Sequence, residues 1–278
     1  MRKFRRGGAL LIYGIIILIA AMSIITVKLF FSEEELKPER DYGVIADDTL
    51  RIVTDLYPVE NLDRVVGSVS EFHYDLAELV GRESGLNFVI IVENSLAKSL
   101  EGLEEGVYDI IARPIIVSDL SKEKLLLSDG LNSDKQVLVQ RKSRYNDGKP
   151  VIGSVVELAG KEVHTSDDET VGMILDNLSM EIGDSIFVCM EKECGVEQIV
   201  MMVAEGEIDY AVCDYTTAKK MARYLNQIDI HLPISFEMQQ SWGVRKESPV
   251  LRDSLDLWME RVRNKRDFRR LLNKYGLR

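Results

Sequence analysis

Histidine and cysteine are scarce, three of each in 278 residues. His73, His164 and His231 stand far apart, without the H-x-x-x-H or H-E-x-x-H spacing of a zinc hydrolase. Cys189 and Cys194 are five residues apart and Cys213 is single, so neither a C-x-x-C redox pair nor a four-ligand zinc set is present. The odd count leaves buried thiols or at most one Cys189–Cys194 bridge. The G-x-S-x-G, P-loop and G-x-G-x-x-G motifs are also missing. No cofactor, metal or catalytic residue is therefore expected, and the chain does not read as an enzyme. With 6 prolines and 46% hydrophobic residues, collagen-like repeats and disorder are excluded. Basic charge is short as well. Arg2, Lys3, Arg5, Arg6 and Lys28 lie in an acid-free stretch 1–32, which leaves 30 bases against 46 acids in 33–278. A body at −16 argues against nucleic acid as a partner.

What is present begins with a long apolar run. Residues 9–27 hold nineteen residues without a charge, followed by Lys28 and the apolar Leu29, Phe30 and Phe31. At 1.5 Å per residue the run nearly spans a ~30 Å hydrocarbon core, where the backbone must be helical. Basic residues precede it and Glu33, Glu34 and Glu35 follow. The positive-inside rule thus leaves 1–8 as a cytoplasmic tail, 9–31 as a single-pass helix of the inner membrane and the body in the periplasm. A cleaved signal peptide is the other reading, but its apolar core is shorter and ends at a small-x-small site. Residues 32–47, polar and containing Pro38, read as a tether.

The body alternates strands and helices. Residues 50–54, 87–92, 108–111, 136–140, 161–165, 185–189 and 209–213 read as strands. Residues 71–84, 95–105, 171–182, 195–205, 216–226 and 249–275 read as helices, several stopped by a glycine such as Gly183 or Gly206. This order predicts an α/β fold with mainly parallel sheets. The polar stretch 141–150 marks a boundary inside it.

Three segments carry a family resemblance. LRIVTDLYPVENL resembles an opening strand with its aromatic-proline turn, and FHYDLAELVGRESGL resembles a "G-F-x-x-D-L" helix with Asp75 at the Asp position. GLEEGVYDIIARPIIVSDLSKEKLLLSDGL resembles a "G-x-x-D-x-I…T-x-x-R…F-S-x-P" segment. With LAGKEVHTSDDE and VAEGEIDYAVCDYTTA further on, these are similar to the family 3 periplasmic solute-binding proteins. LSMEIGD, EGEIDYAVCD and SFEMQQSWGVRKESPVL resemble the binding half of membrane-bound lytic transglycosylase F, whose catalytic helical domain is not expected here. The resemblance implies a two-lobed periplasmic-binding-protein-like fold of type II, with 48–140 plus 236–278 as lobe one, 141–235 as lobe two, and a ligand cleft between them.

The gripping residues depart from the family's pattern. The Arg that clamps a ligand carboxylate falls on Ser121, and the hydroxyl positions before it on Pro114, Ile116 and Ser118, of which only Ser118 keeps a hydroxyl. The Gly-Ser/Thr anion turn of the second lobe falls on Asp168-Glu169, which repel an anion. Asp214 matches the acid that holds an α-amino group. Candidate ligand-binding residues are therefore Asp214, Tyr57, Ser118, Lys122, Asp168 and Glu169. Each has a structural alternative: Asp214 as a helix cap, Tyr57 as core packing and Lys122 as a solvated charge, with Asp75 and Trp242 read mainly as structural. Two functions follow. One is a membrane-anchored periplasmic sensing or transport-related domain for a small amine-bearing, amino-acid-like or cell-wall-derived ligand such as a muropeptide. The other is a scaffold or regulatory partner of an envelope protein of the peptidoglycan machinery.

Overall fold

A computed structural model of the chain describes Met22 and residues 40–56, 69–192 and 194–277. The expected membrane helix (apart from Met22), the tether to residue 39 and Tyr57 lie outside the described residues. Among the described residues, no helix is long and apolar enough to cross a membrane.

Residues 40–46 belong to the body and not to a free tether. Asp41 caps a short helix α1 (Tyr42–Ile45), and its carboxylate also accepts from the backbone N–H groups of Val250 and Leu251 at 3.2 and 2.7 Å. Ile45 is fully buried. The polar composition of the stretch conceals one apolar anchor and one double cap.

The run Leu50–Thr54, which ends in three β-branched residues, forms strand β1 and contributes Ile52 and Val53 to separate apolar clusters. It is followed by α2 (Val69–Ser84), β2 (Phe88–Val92), α3 (Leu96–Glu104) and β3 (Ile110–Ile116). A short α4 (Asp119–Lys124), β4 (Leu126–Leu127) and β5 (Asn132–Asp134) come next. Sheet one has the order β2-β1-β3, with β2 and β3 parallel to β1. The chain then crosses into a second sheet through β6 (Gln136–Arg141), β7 (Glu162–Ser166), α5 (Glu169–Ile182) and β8 (Phe187–Glu191). It continues with α6 (Val196–Glu205), β9 (Tyr210–Asp214), α7 (Tyr215–Ala222) and β10 (Ile228–Asp229). The order there is β10-β6-β9-β7-β8. It returns as β11 (Met238–Val244), antiparallel to β3, β4 and β5, and closes with α8 (Pro249–Arg263) and α9 (Arg266–Tyr275).

The lobes are α/β as expected, but the strands next to the crossings, β6 and β11, run antiparallel to their neighbours. The first crossing falls at 134–136 and not at residue 140. All six residues of β6 are buried, and five of them pair with β9 inside the second sheet. The polar stretch after it is a surface loop within lobe two, because composition reports solvent and not a change of lobe. The two crossings run side by side: Ile234 N–H donates to the Gln136 carbonyl and Leu138 N–H to that of Leu232.

Each lobe has its own core. In lobe one, Phe72, Leu76, Ala77 and Val80 of α2 and Leu251, Leu255, Trp258 and Val262 of α8 pack on Ile52, Ile110 and Val244. In lobe two, Val163, Leu175 and Val212 share one cluster, and Val139, Val200 and Ala211 another. Fully burying one such side chain is worth about 1.5–3 kcal/mol.

Candidate functional site

The lobes meet where strand ends turn into helix N-termini. β3 runs into α4 through Ser118, whose hydroxyl accepts from Ser121 N–H at 3.1 Å while Ser121 Oγ accepts from Ser118 N–H at 2.9 Å. The residue at the expected Arg position thus closes a capping box, a local role that holds it to the backbone. From lobe two, Asp168 caps α5 by accepting from Thr170 N–H at 2.8 Å. Asp214 caps α7 in the same way through Thr217 N–H at 2.8 Å.

Several contacts bridge the lobes. The Ser118 and Thr170 hydroxyls are 3.4 Å apart, and Lys124 Nζ reaches Glu169 Oε2 at 2.5 Å. Asp167 accepts from Ser95 Oγ at 3.0 Å and from Leu96 N–H at 3.4 Å, so a carboxylate of one lobe sits at the N-terminus of α3 in the other. Asp167→Ala should cost the fold only about 1 kcal/mol, as loss of a cap does, while releasing the lobes. Small-angle scattering should then show a larger radius of gyration for the variant; an unchanged radius would place the closure in other contacts.

Behind this latch lies a small cavity of about 80 Å³, lined by Asp55, Arg113, Gln136, Asp167, Asp168 and Asp214 among others. A second cavity of about 490 Å³ flanks it and shares Pro114, Asp214 and Gln240. The larger one opens between α7 and the helices α2, α8 and α9, with Lys219, Lys220 and Arg263 in its lining. Asp214 faces both.

Charge in the small cavity is unbalanced. Arg113 pairs with Asp55 at 3.3 Å and donates to the Asn94 carbonyl at 3.2 Å. Among the described residues, neither Asp168 nor Asp214 has a salt-bridge partner. Both keep some surface on the cavity, yet the protein packed around their carboxyls disfavours the charged form. Desolvation pushes Asp168 up, against the N–H of Thr170 and the charge of Arg113. Asp214 is pushed up to about 6 by desolvation, with the neighbouring Asp134 adding to it. Two more acceptors, Asp55 Oδ1 and Gln136 Oε1, are buried without a hydrogen bond. These acceptors have room for donors, and an ammonium or guanidinium group brings donors alone.

Of the residues singled out from the sequence, Asp168 and Asp214 line the small cavity. Ser118 and Glu169 form contacts across the lobes. Lys122 is exposed and lines neither cavity, its carbonyl taken by Lys246 Nζ; Lys124 is the lysine that crosses. Tyr57 lies outside the described residues. Asp75 accepts from Tyr275 Oη at 2.8 Å and Lys274 Nζ at 2.7 Å, and Trp242 is fully buried. Sequence reading passed over Asp55, Arg113, Gln136 and Asp167. A usable signal existed for Arg113: a lone charge inside the apolar strand IIARPII faces something other than lipid-like core.

Comparison with known proteins fits this geometry. The family model of bacterial extracellular solute-binding proteins, family 3, matches residues 50–278. Curated relatives include membrane-bound lytic murein transglycosylase F of Desulfosudis oleivorans, 26% identical over 204 residues. That match covers 73% of this chain and 43% of the relative. The Aeromonas salmonicida protein of the same name is 25% identical over 234 residues, covering 82% and 44%. The chain therefore spans less than half the length of these relatives. Among solved structures, an ancestral arginine-binding protein bound to arginine superposes with a TM-score of 0.67 at 19% identity, over 82% of this chain and 97% of that one. The arginine-bound, truncated ArgBP of T. maritima gives 0.62 at 21%, over 79% and 99%. These likenesses establish the shared two-lobed fold. With its family match running from the first strand to the end of the chain, this protein belongs to the family 3 bacterial extracellular solute-binding proteins.

Proposed function

We propose that the protein is a membrane-tethered sensing module on the periplasmic face that closes its two lobes over a small cationic, amine-bearing ligand. The observation that carries this reading is the set of acids in the interlobe cavity, above all Asp168 and Asp214, which make no salt bridge among the described residues. A carboxylate in such surroundings gains most from a ligand that returns a positive charge and hydrogen-bond donors. The proteins with the same fold that were solved with arginine supply a precedent for a cationic ligand. The relatives' name adds cell-wall fragments with free amines to the candidates. The anchor follows from the apolar run 9–27 and the basic residues before it.

A volume of about 80 Å³ is well below the ~300–1,000 Å³ of ordinary ligand pockets, so binding requires the lobes to part first. A ligand whose amine meets Asp214 then has the 490 Å³ cavity to extend into.

The second reading is a scaffold for an envelope partner. It is favoured by the latch itself, in which Asp167, Glu169 and Lys124 close the cleft with the protein's own charges. Thermal denaturation of the full chain separates the two. Arginine, lysine, polyamines and amine-bearing muropeptides are tested beside glutamate and neutral amino acids. A cation at 100 times its dissociation constant should contribute about 2.7 kcal/mol, a rise of roughly 5 °C or more. A flat response across the cations favours the scaffold.

A further inference from the structure

The second sheet brings together side chains that the sequence keeps apart. Glu162 and His164 alternate on β7, while Val163 and Thr165 between and beyond them are buried on the other face. In the parallel ladder His164 lies beside Cys189, and Glu191 follows two residues along β8. The Sγ of Cys189, a ring nitrogen of His164 and a carboxylate oxygen of Glu162 all lie within 4.8 Å of one another. His164 Nε2 is 3.0 Å from Glu162 Oε1, and its Nδ1 is 2.7 Å from Glu191 Oε1. The imidazole is 12% exposed and Glu162 is 64% exposed, so the group is anchored in the sheet yet open to solvent beside the edge strand β8.

We propose that Glu162, His164 Nε2 and Cys189 form a binding site for a divalent zinc-type ion, with Glu191 holding the imidazole through Nδ1. The donor set decides the class of metal. One sulfur, one nitrogen and one oxygen suit zinc and its neighbours, whereas magnesium and calcium take oxygen alone. Tetrahedral ligands at 2.0–2.3 Å from zinc are about 3.3–3.8 Å apart, so donors up to 4.8 Å from one another draw in by about 1.5 Å at most, and the Nε2–Oε1 pair at 3.0 Å parts by a few tenths of an ångström. The Glu191 contact is the carboxylate–imidazole–metal arrangement that fixes which ring nitrogen is free to ligate. Three protein ligands leave a fourth position for water. A bound dication takes Cys189 as the thiolate, with the thiol proton released to solvent. The site is separate from the interlobe cleft and does not depend on what the cleft binds.

Titration of the chelator-treated full chain with Co²⁺ tests it. One equivalent should bind with a thiolate-to-cobalt charge-transfer band in the near ultraviolet, and Zn²⁺ should displace it. Cys189→Ser should abolish the band, and His164→Ala should weaken binding by more than the roughly 10–100-fold expected when a supporting group such as Glu191 is removed. Glu191→Gln should keep the band at that reduced affinity, and Cys194→Ser should leave both unchanged. Absence of the band in the wild type, or a band that survives Cys189→Ser and vanishes in Cys194→Ser, overturns the assignment.

Discussion

Asp109→Ala is expected to cost the fold about 3–5 kcal/mol, measured by urea denaturation of the full chain. The Asp109 side chain is fully buried, and it is the acid of the sequence stretch GVYDII. Arg40 grips it with two bonds, Nε to Oδ1 at 2.8 Å and Nη2 to Oδ2 at 3.1 Å, and Arg51 N–H donates to Oδ2 at 2.9 Å. Arg245, 2% exposed, adds Nη2 at 3.5 Å, which also donates to the Arg40 carbonyl, while its Nη1 serves the carbonyls of Leu103 and Tyr108. Burial pulls the pKa of Arg245 down and the charge of Asp109 opposes that. Removing the carboxylate therefore leaves the buried Arg245 without its paired acid and Arg40 with only the exposed Asp48, at 2.8 Å, and an uncompensated buried charge costs far more than a surface pair returns. Against a total stability of about 5–15 kcal/mol this is a large fraction. A loss under about 1 kcal/mol would show that water replaces Asp109 without difficulty.

Acid should separate wild type from His73→Gln by a comparable amount. His73 is buried, accepts from Trp242 Nε1 at 3.0 Å on Nδ1, and lies edge-on to Phe72 at 5.3 Å between ring centres. Desolvation lowers its pKa to about 4, with Asp55 opposing and Arg113 assisting. Between pH 4 and the ordinary value of 6.5 the unfolded chain binds a proton that the folded chain refuses. The stabilisation from the neutral ring is thus complete above pH 6.5 and is lost as pH falls through 4. The loss is about 3 kcal/mol at pH 4. Glutamine offers an acceptor to the indole and does not titrate, so the variant lacks this slope. Asp168 and Asp214 act with the opposite sign, because their raised pKa values stabilise the fold in acid and lose that contribution as pH rises. They are present in both proteins and cancel in the difference. Stability curves that stay parallel from pH 7 to 4 would contradict a neutral buried His73.

Local signals in the sequence carried much of the fold. Gly183 and Gly206, read as helix stops, adopt φ of 74° and 85° at the ends of α5 and α6, where a side chain would be strained. β11 went unread because MQQSWGV lacks a period-2 apolar pattern. Its Gln240 is buried all the same, satisfied by the Asn132 amide at 2.9 Å. A hydrogen bond made by a distant residue hides burial from any local rule. The same limit applies to the cleft. Asp168 and Asp214 were visible as acids at helix starts, and both act as caps while lining the cavity. Arg113, Asp167 and Gln136 gain meaning only when two sheets are set face to face. His164 and Cys189 are 25 positions apart and become neighbours through strand register alone. The optional Cys189–Cys194 bridge is not formed; all three cysteines are thiols.

The central claim is that Asp214 holds the positive charge of a ligand, and calorimetric titration of wild type and Asp214→Asn with one cation tests it directly. The amide keeps an acceptor for Thr217 N–H and removes the charge. Loss of one partner from a desolvated charge pair costs about 2–5 kcal/mol, so the dissociation constant should rise roughly 30-fold or more. Wild-type affinity should also fall as the pH drops through about 6, where Asp214 takes up a proton, and the variant should lose that dependence. Equal affinity in the two proteins, or binding of glutamate in preference to the cation, would contradict the account.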